Sequence, residues 1–288
     1  MLVVSGASGK LGRRIVEYLI DRVDASRVVA ASRTPDRVAD LGVASRQADF
    51  DDPESLPRAF DGAERLLLIS TDPIEPGIRT RQHTNAVQAA AKAGVGQVIY
   101  TSIVRATDPG NPAVVAGDHA ATEQALDESG LSYIALRENI YTDMQLLSAP
   151  AAVASGVLTG NEGDGGVAYV TRDDIAAVAA ALLAEGGPDG PLDVTGPAAV
   201  TQHDLAAALS EITGRQVSYQ PVTDDAFVDG LVQHAGMPEQ IARAYATFGQ
   251  AAREGWLDGV TDTVARIAGR QPTSVYDFLA ANRAALLG

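Results

Sequence analysis

The stretch Gly6-Ala7-Ser8-Gly9-Lys10-Leu11-Gly12 constrains this chain more than any other, because of what stands on either side of it. The apolar run Leu2-Val3-Val4 precedes it, and apolar residues at helical spacing follow from Leu11 to Arg22. A turn leading straight from strand to helix needs residues without bulky side chains, and the opening helical turn then offers unpaired amides and a positive dipole end. That combination is a cradle for a pyrophosphate. Gly6, Ala7, Ser8, Gly9, Lys10 and Leu11 are therefore candidate cofactor-binding residues, with a ligand-free glycine turn as the plainer alternative.

The same alternation continues downstream. Val28 to Ala31, Leu66 to Ile69, Val98 to Tyr100 and Tyr133 to Leu136 read as buried strands, and segments such as Thr84 to Ala93 read as helices. Continuously apolar strands separated by helices imply an α/β fold, a doubly wound parallel sheet covered on both faces. Gly94 and Gly130 stand where helices should stop before the next strand. After about residue 150 the rhythm loosens into SGVLTGNEGDGGVAYV, followed by helix-like RDDIAAVAAALLAEG, strand-like PLDVTG, a further helix and strand, and a mostly helical tail from Asp224. The expected organisation is a nucleotide-binding lobe over 1–150 and a smaller mixed α/β lobe over 151–288. The second lobe should interleave with the first and fold back on the sheet's carboxyl edge.

Composition narrows the function. Among 288 residues, 46% are hydrophobic, enough for a sizeable core. Lys and Arg total 22 against 37 Asp and Glu, and a net charge of -15 repels nucleic acid, so any phosphate must be gripped locally. The absence of cysteine removes disulfides, a thiolate nucleophile and cysteine-ligated metals. His83, His119, His203 and His234 show no ligand-like spacing, so no metal site is expected. The opening MLVVSGASG is too short for a signal peptide, and no apolar run reaches membrane-spanning length, so a cytoplasmic protein without membrane contact is expected.

Cofactor choice is read about twenty residues past the glycines, where an acidic residue would bond the ribose 2′-OH of NAD. This chain has Ala31-Ser32-Arg33-Thr34-Pro35 there. An Arg pairs with a 2′-phosphate that an acid would repel, so NADPH is the expected cofactor, unless Arg33 is an ordinary surface cation. Asp49 and Phe50, in QADF, are candidates for bordering the adenine; a capping Asp and a core Phe are the alternatives.

The spacing Gly-x-x-Gly-x-x-Gly resembles the short-chain dehydrogenase/reductase superfamily. With SRTP, RQADF, LLLIS, RQHTNAVQAAAKAGV, YTS, DHAATEQALDESGLSY and LREN-Y following in order, the chain resembles its NmrA-like atypical branch, and within it the bacterial NAD(P)H:quinone oxidoreductases, with triphenylmethane reductase a near neighbour. The matching segments span roughly residues 1 to 160, and TRDDIAAVAAALL and LDVTGPAAVTQHDLAAALSEITG extend them. The resemblance implies a Rossmann lobe holding NADPH, with the nicotinamide near Ser70, Thr71, Thr101 and Ser102 and the substrate pocket lined by Asn139 and Tyr141. It implies a reductase passing hydride to quinones or related electron-poor conjugated small molecules. A dinucleotide-binding sensor without turnover, and a biosynthetic reductase for another carbonyl or imine, are the alternatives. A homodimer is compatible with the sequence.

Where typical superfamily members carry Tyr-x-x-x-Lys, this chain reads GDHAATEQAL. His119 and Glu123 share a helical face but cannot replace that acid. A quinone has less need of one, since its hydroquinone anion is delocalised. In the benzylic ether reductases of the same broad group a catalytic Lys holds the spacing of His119, so His119 is a candidate for orienting or protonating substrate, against capping or packing. Glu123 is expected to be a solvated helix residue, and His83 a surface or capping residue rather than one packed at the pocket.

Overall fold

The computed structural model describes residues 1–75 and 77–288. Among them nine strands run along the chain as β1 (Leu2–Val4), β2 (Val28–Ser32), β3 (Ala44–Gln47), β4 (Arg65–Leu68), β5 (Gln97–Ile103), β6 (Ser132–Glu138), β7 (Val157–Gly160), β8 (Gly190–Val194) and β9 (Ser218–Pro221). Seven form one sheet in the order β3-β2-β1-β4-β5-β6-β8, all neighbours parallel. β7 and β9 pair in parallel as a separate ladder. The doubly wound Rossmann arrangement expected from the strand–helix rhythm is the one observed.

Side chains alternate across the sheet. Leu2, Val4, Ile134 and Leu136 pack beneath helices α1 (Lys10–Ile20) and, later in the chain, α6 (Arg172–Glu185). Val3, Leu66, Leu68 and Tyr100 face the other way, under α2 (Leu56–Phe60), α3 (Ile78–Lys92) and α4 (Ala116–Ser129). The helix stops fall where expected: Gly94 and Gly130 have φ of 66° and 72°, the left-handed region that glycine enters at no steric cost.

The second half of the chain is woven into the first more deeply than its pattern suggests. Position 150 falls inside helix α5 (Gln145–Ser155). PLDVTG supplies β8, the seventh strand of the main sheet, paired to β6 from Ile134↔Gly190 to Glu138↔Val194. TRDDIAAVAAALL forms α6, buried without interruption from Asp174 to Leu183 because it is covered by the sheet, by α1 and by the returning tail. Buried Asp174 fastens that tail, accepting from the Thr273 amide at 2.9 Å and pairing with Arg270 at 2.8 Å. A separate core gathers β7, β9, α5 and α7 (Gln202–Thr213) with tail residues such as Leu257 and Leu279. No described helix is long and apolar enough to cross a membrane.

Strand order reverses at β1 and β4, which opens a crevice at the carboxyl ends of the strands, the place where such sheets bind ligands. Every candidate residue discussed below lies at or behind this edge.

Candidate active site

The glycine turn leaves β1 and enters α1 in two steps. Gly6 takes φ +62°, and the Ala7 amide donates to Ala31 O of β2 at 3.1 Å. Gly12 is the residue against which the turn closes: a Cβ there would stand 2.4 Å from Gly6 O and 2.8 Å from the Ala7 Cα. Gly9 is different. It is exposed, and a Cβ would meet only Gly6 O, at 3.3 Å, so the space above it is open. Gly9 is also the N-cap of α1, and no side chain caps the helix. The first-turn amides thus have no partner within the helix and face that opening, which fits a pyrophosphate.

Side chains also join this cradle to the end of β2 and to the turn that follows it. Ser32 Oγ donates to Ser8 Oγ at 2.9 Å, and Arg13 of α1 reaches Asp40 at 2.7 Å and Arg37 O at 2.7 Å. Arg33 follows Ser32, is exposed, and has no hydrogen bond or ion pair among the described residues. A cation standing beside the cradle in this way fits a ribose 2′-phosphate. Asp49 and Phe50 lie in the next loop. Asp49 Oδ1 accepts from the Asp51 amide at 3.0 Å, closing a turn, and the Phe50 ring is buried against α2 and α3. Asn85 and Gln82 of α3 hold the same loop through Phe50 O and Asp51.

The ends of β4, β5 and β6 bring the other candidates together. Thr101 Oγ1 accepts from the Ser70 amide at 2.7 Å, and the Thr71 amide donates to His83 Nε2 at 3.0 Å. His83 is therefore neither a surface nor a capping residue: it is fully buried and props the strand end that should face the nicotinamide. Its Nε2 accepts, so its proton sits on Nδ1, toward Thr122 Oγ1 at 2.8 Å. Burial, reinforced by Arg79, pulls its pKa down to about 3.

His119 stands one layer behind the strand ends. It is 3% exposed, with Nδ1 2.7 Å from Tyr100 Oη and Nε2 3.5 Å from the Arg79 guanidinium. Burial, then Arg79 and His83, holds its pKa well below the usual imidazole range, so it is neutral. Arg79 is itself buried, its Nε has no hydrogen-bond partner, and it forms no ion pair with a carboxylate among the described residues.

Glu123 is not solvated. Its carboxylate is buried, accepts from Ser102 Oγ at 2.6 Å and takes the Arg137 fork at 3.0 and 2.6 Å. The Ser102 hydroxyl is thereby committed to an ion pair. An open groove of about 730 Å³ runs past this pair between α4 and the outer strands, away from the glycine turn.

On the opposite face of the sheet, the end of β6 carries Glu138 and, just beyond it, Asn139 and Tyr141. Asn139 is buried and ties the strand end to the tail, donating to Leu257 O at 2.9 Å. The Tyr141 hydroxyl donates to Glu138 Oε2, and Arg172 lies over the Tyr141 ring at 4.9 Å from its centroid. Nothing in the local sequence around Glu138 marks it as functional. The available signal was only its place at Leu136+2, which puts it on the face where α1 begins.

Known proteins resemble this chain over nearly its whole length. Residues 6–186 match the family described as NAD(P)H-binding. The chain is 38% identical over 279 residues to quinone oxidoreductase 2 of Escherichia coli, covering 96% of each. The structure of an NADPH-dependent quinone oxidoreductase from Escherichia coli complexed with NADPH superposes with a TM-score of 0.93 at 36% identity, over 98% of this chain and 100% of that one. The Citrobacter sp. triphenylmethane reductase complexed with NADP(H) gives 0.90 at 32% identity, over 98% and 99%.

Proposed function

From the premise that this chain belongs to the NAD(P)H-binding family, we propose that it is an NADPH-dependent reductase that passes hydride to quinones and related electron-poor conjugated small molecules. The observation that carries the reading is the uncapped start of α1 with open space at Gly9, one hydrogen bond away from a β2 end that presents Arg33. NADPH, when bound, supplies the hydride. Gly6 to Leu11 hold its pyrophosphate, Arg33 its 2′-phosphate, and the loop at Asp49 and Phe50 borders the adenine. Ser70, Thr71, Thr101 and Ser102 form the shelf for the nicotinamide, with Asn139 and Tyr141 lining the acceptor's side.

Support for a quinone-type acceptor comes from the relatives, among them a quinone oxidoreductase of Escherichia coli at 38% identity. Ser102 is engaged by Glu123 and His119 is a neutral base inside the protein, so neither is placed to protonate a ketone's alkoxide. An aromatic acceptor needs positioning and an apolar slot first. Steady-state NADPH oxidation with benzoquinones and naphthoquinones tests the proposal; tight NADPH binding with no turnover on any acceptor would instead mark a sensor.

Two variants probe the assignment. Arg33→Ala should weaken NADPH binding by about 1.5–3 kcal/mol, the range for a lost charge-assisted hydrogen bond, and leave NADH nearly unaffected. Titration of both nucleotides against both proteins checks this, and equal losses would remove Arg33 from the 2′-phosphate site. His119→Ala should lower quinone turnover by only about tenfold, below the roughly hundredfold or more of a general acid–base group, because it props Tyr100 rather than meeting substrate. A variant inactive on every acceptor across the imidazole range would make it an obligatory acid.

A further inference from the structure

Glu138 is buried and takes no part in holding the dinucleotide or the acceptor described above. It is 4% exposed, Oε2 accepts from the Tyr141 hydroxyl, and Oε1 is buried with no hydrogen-bond partner. Leaving a carboxylate oxygen unpaired in the interior is costly, whereas a protonated carboxyl carries no charge there. Its surroundings supply little to hold an anion. β5 and β8 place Ile103 and Val194 alongside it, and Arg172, the cation that acts on it, is itself paired with Asp143 at 3.3 Å. Burial outweighs the Tyr141 hydrogen bond and Arg172, and raises the Glu138 pKa to about 8; burial, then Glu138, raises that of Tyr141 too.

The position of the pair also fits. Glu138 lies on the α1 face of the sheet, at the end of β6 and level with Ile103, one residue past Ser102. Tyr141 packs under Arg172 at the start of α6, and the next residue, Asp173, bonds Arg14 of α1 at 2.7 Å, one turn into the cradle helix. Contacts thus run from the pair to the cradle helix through Arg172 and Asp173, and to the strand that carries Ser102 through Ile103; the Tyr141 side chain is half-buried and Glu138 is buried.

Resting on the reductase reading, we propose that Tyr141 and Glu138 form the proton-delivering pair of this enzyme, Tyr141 meeting the acceptor oxygen and Glu138 replenishing it. The quinone takes a hydride, and with it two electrons, from NADPH to become a hydroquinone anion. The Tyr141 O–H bond breaks toward the anionic oxygen, and the phenol is restored by the carboxyl proton of Glu138. The resulting carboxylate regains a proton from solvent after release, so that quinone, NADPH and one proton give hydroquinone and NADP+.

The test uses Glu138→Gln and Tyr141→Phe, both close in shape to the native residues, with two acceptors: a naphthoquinone, which needs a proton after hydride arrives, and a cationic triphenylmethane dye, which does not. Native quinone turnover at saturating NADPH should be flat below pH 8 and fall above it as the carboxyl ionises. Each variant should lose about a hundredfold on the quinone, within the usual contribution of general acid catalysis, and Glu138→Gln should lose the break near pH 8. NADPH affinity by fluorescence titration should be retained, and each variant should lose at least about tenfold less on the dye than on the quinone. Equal losses on both acceptors, weakened NADPH binding, or an unaltered pH profile in Glu138→Gln would overturn the proposal. A native protein that oxidises NADPH with neither acceptor would overturn the reductase reading itself.

Discussion

Gly9→Val is expected to fold normally and to lose NADPH affinity by more than about a hundredfold, roughly 3 kcal/mol. The backbone at Gly9 has φ -79° and ψ 166°, an extended conformation that valine adopts freely, and the glycine is exposed, so the cost to the fold is limited to a poorer N-cap and a close contact with Gly6 O at 3.3 Å. The added side chain grows into the one direction left open, above the uncapped amides of α1, where a pyrophosphate must come within hydrogen-bonding distance. Gly12→Ala makes the contrast. Its Cβ would collide with backbone at Gly6 and Ala7, so it should lower the melting temperature as well as the affinity. Nucleotide fluorescence titration together with thermal denaturation separates the two cases. Native affinity in a folded Gly9→Val protein would move the dinucleotide elsewhere on the molecule.

These two glycines also show what could be read without a structure. The turn, its strand and its helix are local, set by a dozen consecutive residues, and Arg33 is placed by counting from them; all of this was legible. The partner of a buried strand is not local. PLDV has the composition of a strand that any parallel sheet would accept, and only its pairing to β6 makes it part of the main sheet rather than of the second lobe. The burial of His83 and Glu123 lies between these cases. On α4 the buried residues Ala116, His119, Glu123 and Leu126 fall at helical spacing on one stripe, and on α3 so do His83, Ala86, Val87 and Ala90. The periodicity was present, but a charged or imidazole side chain on such a stripe is ordinarily read as exposed, because the partner that permits its burial comes from a distant strand. For Glu123 that partner is Arg137, on β6.

The Glu123–Arg137 pair should therefore have a large effect on stability. Glu123→Ala is expected to cost about 3 kcal/mol, the lower end for removing one partner of a buried ion pair, measured as a shift in the urea midpoint at unchanged slope. The lower end applies because Arg137 keeps its bond to Thr107 at 2.8 Å and borders the open groove along α4, so the stranded cation reaches water with little rearrangement. The same substitution removes the acceptor of Ser102, leaving a buried hydroxyl to find a new one. Replacing both partners by apolar residues of similar volume, Glu123→Leu with Arg137→Met, should restore much of the loss, since no charge is then left behind. If Glu123→Ala instead unfolds at the native midpoint, the pair contributes as little as an exposed one, and the Ser102 hydroxyl is free to turn toward the nicotinamide shelf as a donor.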